Sequence, residues 1–215
     1  MTIDWGWIAG HFSDMWEATT QHVTLTVIAV VSGFLLAMAL SLVALRWRPA
    51  YGPITWFTGI LYTIPSLALF TFFIPFFGLS MVTAEIALVS YTLLILVRNI
   101  VAGIDGVPEP VLESARGMGM TDRNLFLGVQ LPLAVPVIIA GIRIATVSTI
   151  GLVTVTALIG QGGYGVFILR GIRRQFLTEI LVGTVLSVLL AVAADIALVA
   201  LERRITPWAR RTEAV

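Results

Sequence analysis

Residues Asp105-Gly-Val-Pro-Glu-Pro-Val-Leu-Glu-Ser-Ala-Arg-Gly-Met-Gly-Met-Thr-Asp-Arg-Asn-Leu-Phe-Leu-Gly-Val-Gln-Leu-Pro132 form the only long polar segment in the interior of this chain. The segment carries Asp105, Glu109, Glu113, Arg116, Asp122 and Arg123, and apolar runs flank it on both sides. Proline suits a first helical turn, where its missing N–H has no partner to lose, so Pro108 and Pro110 predict a helix start. Glu113 and Ala115 then lie on a short helix ending near Gly119, a residue type suited to a helix C-terminus. Thr121 can cap a second helix carrying Leu125, Phe126 and Val129. Pro132 is expected to break that helix just before the next apolar run. The segment reads as a compact helix–turn–helix knob, in which a small residue such as Ala115 or Gly119 lets a partner backbone approach closely.

Outside this segment the chain calls for lipid as its solvent. Of 215 residues, 58% are hydrophobic and 12% charged, and mean hydropathy is +0.99. A soluble domain carries about 25% charged residues. A membrane helix needs about 20 mostly apolar residues, because the hydrocarbon core is about 30 Å thick and each residue rises about 1.5 Å. Upstream of the knob, the charge-free run Pro49–Ala84 is too long for one helix. It divides into a span near Ile54–Phe77, a tight turn at Gly78-Leu79-Ser80, and a span near Val82–Ile104 that contains Glu85 and Arg98. Pro65 and Ser66 are expected to interrupt the earlier of these and expose backbone to a pathway. Further upstream, the first span covers His22–Leu45. Downstream come a span near Val135–Ile159 with Arg143, a glycine-rich loop over Gly160–Gln175, and a span over Glu179–Leu201 with Asp195.

The expected fold is therefore all-α, an integral membrane protein with about five transmembrane helices. Residues 1–21 form an N-terminal extracytoplasmic or interfacial segment, 22–201 the membrane domain with loop 105–132, and 202–215 a basic tail. All 13 basic residues are arginine. Arg46, Arg48, Arg116, Arg123, Arg203, Arg204, Arg210 and Arg211 fall on one side of a five-span chain, which makes that side cytoplasmic and the N-terminus external. Arg170, Arg173 and Arg174 on the other side are an exception, expected at the interface or folded back over the protein. Trp5, Trp7 and Trp16 fit an interfacial N-terminal segment, and Trp47 and Trp208 the inner headgroup level. No cleavable signal peptide is expected, since the first residues carry Asp4, Asp14 and Glu17 and no basic residue.

The polar segment also carries a motif. Glu113-Ser-Ala115, Gly119, and then Val129-Gln-Leu131-Pro132 resemble the E-A-A-x-x-x-G-x(9)-I-x-L-P loop of the permease subunits of bacterial ATP-binding-cassette importers, with Ser114 in place of alanine and Val129 in place of isoleucine. Further stretches are similar to the glycine betaine/carnitine/choline branch of that type I, MetI-like permease family. These are Tyr62-Thr-Ile-Pro65-Ser66, Arg98-Asn99, Leu131-Pro-Leu-Ala-Val-Pro136 through Gly141-Ile-Arg143, and Ala157-Leu-Ile-Gly160-x-Gly162-Gly163-x-Gly165. The last has Tyr164 where the family usually has leucine. The resemblance covers His22 to Leu201.

The resemblance implies a non-catalytic transport subunit of the bacterial inner membrane, importing osmoprotectants. The expected partners are two cytoplasmic ATPase subunits that hold ATP and Mg, a second permease, identical or paralogous, and an extracytoplasmic substrate-binding protein; no nucleic acid is expected. It implies a coupling role for Glu113, Ser114, Ala115, Arg116, Gly117, Met118, Gly119, Leu131 and Pro132. A methionine-type or other small-solute permease is the alternative inside the class, and an ATP-independent secondary transporter the alternative outside it.

Other chemistries are weaker. Tyr62, Pro65, Ser66, Arg143 and Asp195 are candidates for a translocation pathway. A charge at membrane depth is costly, so Arg143 and Asp195 are expected to pair or to line a pathway, with snorkelling of Arg143 as the plainer reading. Gly160, Gly162, Gly163 and Gly165 spell a dinucleotide fingerprint by letters, but no βαβ unit surrounds them and no acid follows at about 20 residues. An outer gate or receptor contact is the better reading. Tyr62, Tyr91 and the phenylalanines from Phe70 to Phe77 could form an aromatic cage but more commonly serve packing. With no cysteine and no ligand spacing at His11 or His22, neither a metal site nor a cofactor is expected in this chain.

Overall fold

A computed structural model describes residues 3–208. Among these the regular structure is entirely helical. The chain runs through α1 (Trp5–Gly10), α2 (Phe12–Arg46), a short 3₁₀ turn at Arg48–Ala50, α3 (Tyr51–Thr63), α4 (Ser66–Phe77) and α5 (Met81–Asp105). It continues through α6 (Glu109–Gly117), α7 (Asp122–Leu125), a π turn at Phe126–Gln130, α8 (Leu131–Val153), a 3₁₀ segment at Thr154–Ile159, α9 (Gly165–Arg174) and α10 (Leu177–Ile205).

Helices α2, α5 and α10, and the continuous stretch Asp122–Ile159, are each long and apolar enough to cross a membrane. The remaining expected span, near Ile54–Phe77, is two short helices, α3 and α4, meeting at 96°. Pro65 supplies no N–H and disfavours helical geometry in the residue before it. Ile64 and Pro65 are accordingly extended, with ψ of 129° and 134°. The pair still travels from one end of the bundle to the other. It starts beside Arg48, which binds Asp105 at the end of α5, and it finishes next to Met81, which shares a cleft with Thr20, Gln21 and Gly160. The chain therefore runs the length of the bundle five times, and α1 and the end of α10 lie at its opposite ends.

The helix α5 is central, packing on α2, α3, α4 and α8. Leu96, Val97 and Ile100 fill the core towards one end, and Phe70, Leu88 and Val153 towards the other. Lipid does not drive helices together as water does, so close backbone approach through small residues carries much of the association. A Cβ on Gly33 would lie 1.9 Å from the Thr92 hydroxyl, and one on Gly141 2.5 Å from Cβ of Asn99. These glycines let α2 and α8 press on α5.

Several expectations from the sequence change. The helix of the first span starts ten residues before His22, since α2 already begins at Phe12. Pro132 does not break the chain between knob and span. The π turn widens the helix just before it, where the Leu131 N–H reaches back to the Phe126 carbonyl, and Pro132 sits in the first turn of α8. The glycine-rich segment 160–175 is mostly helix α9, not loop. The last span continues through Ile205, into what the sequence suggested was tail. Trp7 is not an interfacial anchor. It stacks on His11 at 4.2 Å and meets Phe167 and Phe176 edge-on. Trp5, Trp16, Trp47 and Trp208 are exposed. Arg210 and Arg211 of the expected tail lie outside the described residues.

Candidate functional site

The knob is built as its residues suggest. Pro108 caps α6 and Pro110 occupies its first turn. Gly119 terminates the helix with φ of 82°. The N–H of Met120 bonds back to the Ala115 carbonyl at 3.2 Å, and that of Gly119 to Arg116 at 2.9 Å. Thr121 caps α7 through the Asn124 N–H. Val107, Leu112, Ala115 and Leu125 form a small core, with Val129 against it. Ala115 is 2% exposed, so its small size serves packing between α6 and α7 and not the approach of a partner.

The outward surface includes Glu113, Ser114, Arg116, Gly117, Met118, Gly119 and Met120. Met118 at the tip is 73% exposed. Arg116 pairs with Glu109 at 2.8 Å, and the Ser114 hydroxyl turns back to the Pro110 carbonyl. Leu131 packs on the central core and Pro132 is half-buried beside it. These two fasten the knob to α8, and the helix runs on from α7 through the π turn into α8.

The break between α3 and α4 opens a cavity of about 420 Å³ lined by Tyr62, Ile64, Pro65, Ser66, Tyr91 and, from α8, Ser148 and Thr149. The Tyr91 hydroxyl donates to the Ile64 carbonyl, which the break leaves without a helical partner. Tyr62 and Tyr91 meet edge-to-face at 6.0 Å. The phenylalanines do not form a cage: Phe70 is fully buried in the core, while Phe72 and Phe76 point outward.

A second cavity, about 600 Å³, lies between α8 and α10 and shares Ser148 with the first. Here Arg143 grips Asp195 through two parallel hydrogen bonds of 2.8 and 3.1 Å, with Glu202 at 3.7 Å from the same guanidinium. The expected pair thus exists. Glu85 and Arg98 make no ion pair within the described residues.

At the opposite end from the knob, Gly160 and Gly163 both have positive φ, and the turn they form is seated on α2. The Gly163 N–H donates to Gln21 at 3.1 Å, and the Tyr164 N–H to Nδ1 of His22 at 3.2 Å. Since Nδ1 accepts, the ring proton is on Nε2, which donates to the Ile150 carbonyl at 3.0 Å. The Tyr164 hydroxyl reaches Thr19. Two of the three exceptional arginines are also explained. Glu179, 1% exposed at the start of α10, lies 2.8 Å from Arg170 and 3.8 Å from Arg174. The sequence pointed to neither His22 nor Glu179. A lone imidazole inside a charge-free apolar run was the available signal for His22.

Residues 26–207 match the family described as the binding-protein-dependent transport system inner membrane component. The chain belongs to this family. It is 41% identical over 189 residues to the choline transport system permease protein OpuBB of Bacillus subtilis, covering 88% of this chain and 87% of that one. It is 39% identical to the glycine betaine/carnitine/choline transport system permease protein OpuCB of the same organism, at the same coverage. The osmoprotectant import permease protein OsmW of Salmonella typhimurium is 34% identical, over 93% of this chain and 94% of its own length. Its fold is similar to that of the MetNI methionine transporter in an inward-facing conformation, with TM-score 0.77 at 20% identity over 89% of this chain and 96% of that one. It is also similar to an amino acid ABC transporter crystallised with histidines, with TM-score 0.78 at 18% identity over 95% of this chain and all of that one. The chain is thus a multi-pass inner-membrane component of a transport system.

Proposed function

We propose that this chain is the permease subunit of an ATP-binding-cassette importer for osmoprotectants of the glycine betaine, carnitine, choline and proline betaine class. The observation that carries the reading is the exposed knob, joined without a break to a membrane-crossing helix. A cytoplasmic ATPase grips Glu113, Met118 and Gly119, and the helix running from α7 into α8 carries its closure to the broken span. Two ATPase subunits supply ATP and Mg, a second permease completes the pathway, and an extracytoplasmic binding protein delivers the solute. The N-terminus is external and the knob cytoplasmic, in keeping with the arginines around the knob end.

Within this scheme the solute passes the break at Pro65. There Tyr62 offers an aromatic face to a quaternary ammonium group, and Ser66 and Ser148 offer hydroxyls. Arg143 and Asp195 hold α8 to α10 beside that path. The turn at Gly160–Gly165 forms the outer gate. The identity of the relatives at 34–41% favours osmoprotectants over methionine, since the likeness to the methionine transporter concerns the fold. The test is uptake of radiolabelled glycine betaine and methionine by salt-stressed cells lacking their own importers and supplied with this chain and its partner genes. Accumulation of glycine betaine but not methionine is expected. Uptake of methionine alone would overturn the substrate class.

A further inference from the structure

A cleft of about 390 Å³ separates the end of α2 from the knob, lined by Leu42, Arg46, Arg48, Arg116, Asp122 and Gln130. Its charges are not equivalent. Arg48 is held in two short bonds by Asp105, at 2.6 and 2.7 Å, and Arg116 is held by Glu109. Among the described residues Arg46 and Asp122 make no ion pair, though both face the cleft. Arg48 and Arg116 each keep further N–H groups to donate, because a guanidinium carries five.

Three features place this cleft at the headgroup layer. Exposed Trp47 lies between Arg46 and Arg48, the combination of aromatic and basic side chains found at a membrane interface. Below Arg46, the exposed residues Leu42, Leu35, Val31 and Val27 recur at helical spacing along one face of α2. They make an apolar track leading away from the cleft. Arg46, Arg48, Arg116 and Asp122 gather in the cleft where that track ends.

We infer that the cleft binds one phospholipid, its phosphate on Arg46 and the spare N–H groups of Arg48 and Arg116, its headgroup ammonium on Asp122, and an acyl chain along α2. The carboxylate of Asp122 selects a headgroup that is both cationic and able to donate N–H bonds. Phosphatidylethanolamine is preferred over phosphatidylcholine, whose ammonium has no N–H, and over phosphatidylglycerol, which offers no cation. The site wedges a lipid between α2 and the knob and holds for either orientation in the membrane.

The test is native mass spectrometry of the full-length chain, purified with its partners from micelles holding equal amounts of the three lipids. The expected result is one phosphatidylethanolamine retained per chain, about tenfold over phosphatidylcholine. Arg46→Gln lowers retention by a similar factor, Arg46→Lys keeps it, and Asp122→Asn removes the preference over phosphatidylglycerol. Each variant is compared only as a monodisperse peak. Equal retention of the three lipids by the wild type, or unchanged retention by Arg46→Gln, would overturn the assignment. So would displacement of the lipid by millimolar inorganic phosphate, which would make the occupant a free anion. None of these readouts depends on transport.

Discussion

The backbone N–H of Tyr164 donates to Nδ1 of His22, joining residues 142 apart in the sequence. The other ring nitrogen binds the Ile150 carbonyl, so one neutral imidazole ties α2, α8 and the glycine turn together. His22 is fully buried. Removing one partner strands buried groups at a cost of about 1–3 kcal/mol each. His22→Leu is therefore expected to lower the thermal unfolding temperature in detergent clearly. His22→Gln, which keeps one donor and one acceptor, restores part of it. A Leu variant as stable as the wild type would remove the clamp from the account.

Arg143 and Asp195 form a two-bond pair bordering a cavity. Removing Arg143 leaves Asp195 without its partner, and removing Asp195 leaves Arg143 only the longer contact to Glu202 at 3.7 Å, each costly at membrane depth. Arg143→Ala and Asp195→Ala should each reduce the yield of inserted protein severalfold. The double replacement should recover most of it, since coupled residues are not additive. Losses that simply multiply would show the two side chains acting independently.

Tyr91 satisfies the carbonyl that the break at Pro65 frees. Tyr91→Phe keeps the ring and leaves the Ile64 carbonyl bare, a loss of about 1–3 kcal/mol if nothing replaces the bond. Transport should fall about 5- to 100-fold if the break must hold its shape, with insertion unchanged. Uptake at the wild-type rate would exclude the tether from the transport cycle.

On the knob, exposure separates coupling from folding. Glu113→Lys and Met118→Asp change exposed side chains, so each should abolish co-purification of the ATPase while the chain stays in the membrane. Ala115→Leu instead overfills the packed core between α6 and α7, at about 1–3 kcal/mol, and should destabilise the knob itself. Full ATPase recovery with Glu113→Lys would locate the contact elsewhere.

Most of the membrane spans were legible because charge-free runs and helix-breaking residues have local causes. The break at Pro65, the turn at Gly78 and the caps at Pro108, Gly119 and Thr121 each follow from backbone constraints visible in one or two residues. What failed to show depends on distant partners. From sequence, helix α9 reads as loop because glycines precede and interrupt it. Yet Gly165 and Gly171 sit where a Cβ would strike Thr154 and Ile180, so tertiary packing asked for them. Ala115 looked like a contact residue because small size suits both a surface approach and a tight core. Pro132 looked like a break because no local signal announces the π turn that accommodates it.

The most direct measurement is ATP hydrolysis by the complex of this chain with its ATPase, reconstituted in lipid and challenged with solute-loaded binding protein. The panel is glycine betaine, carnitine, choline, proline betaine and methionine. Stimulation by a quaternary ammonium solute, dependent on the binding protein and lost with Glu113→Lys, is the expected result. Failure of any ATPase to associate with the chain, or hydrolysis indifferent to every solute in the panel, would contradict it.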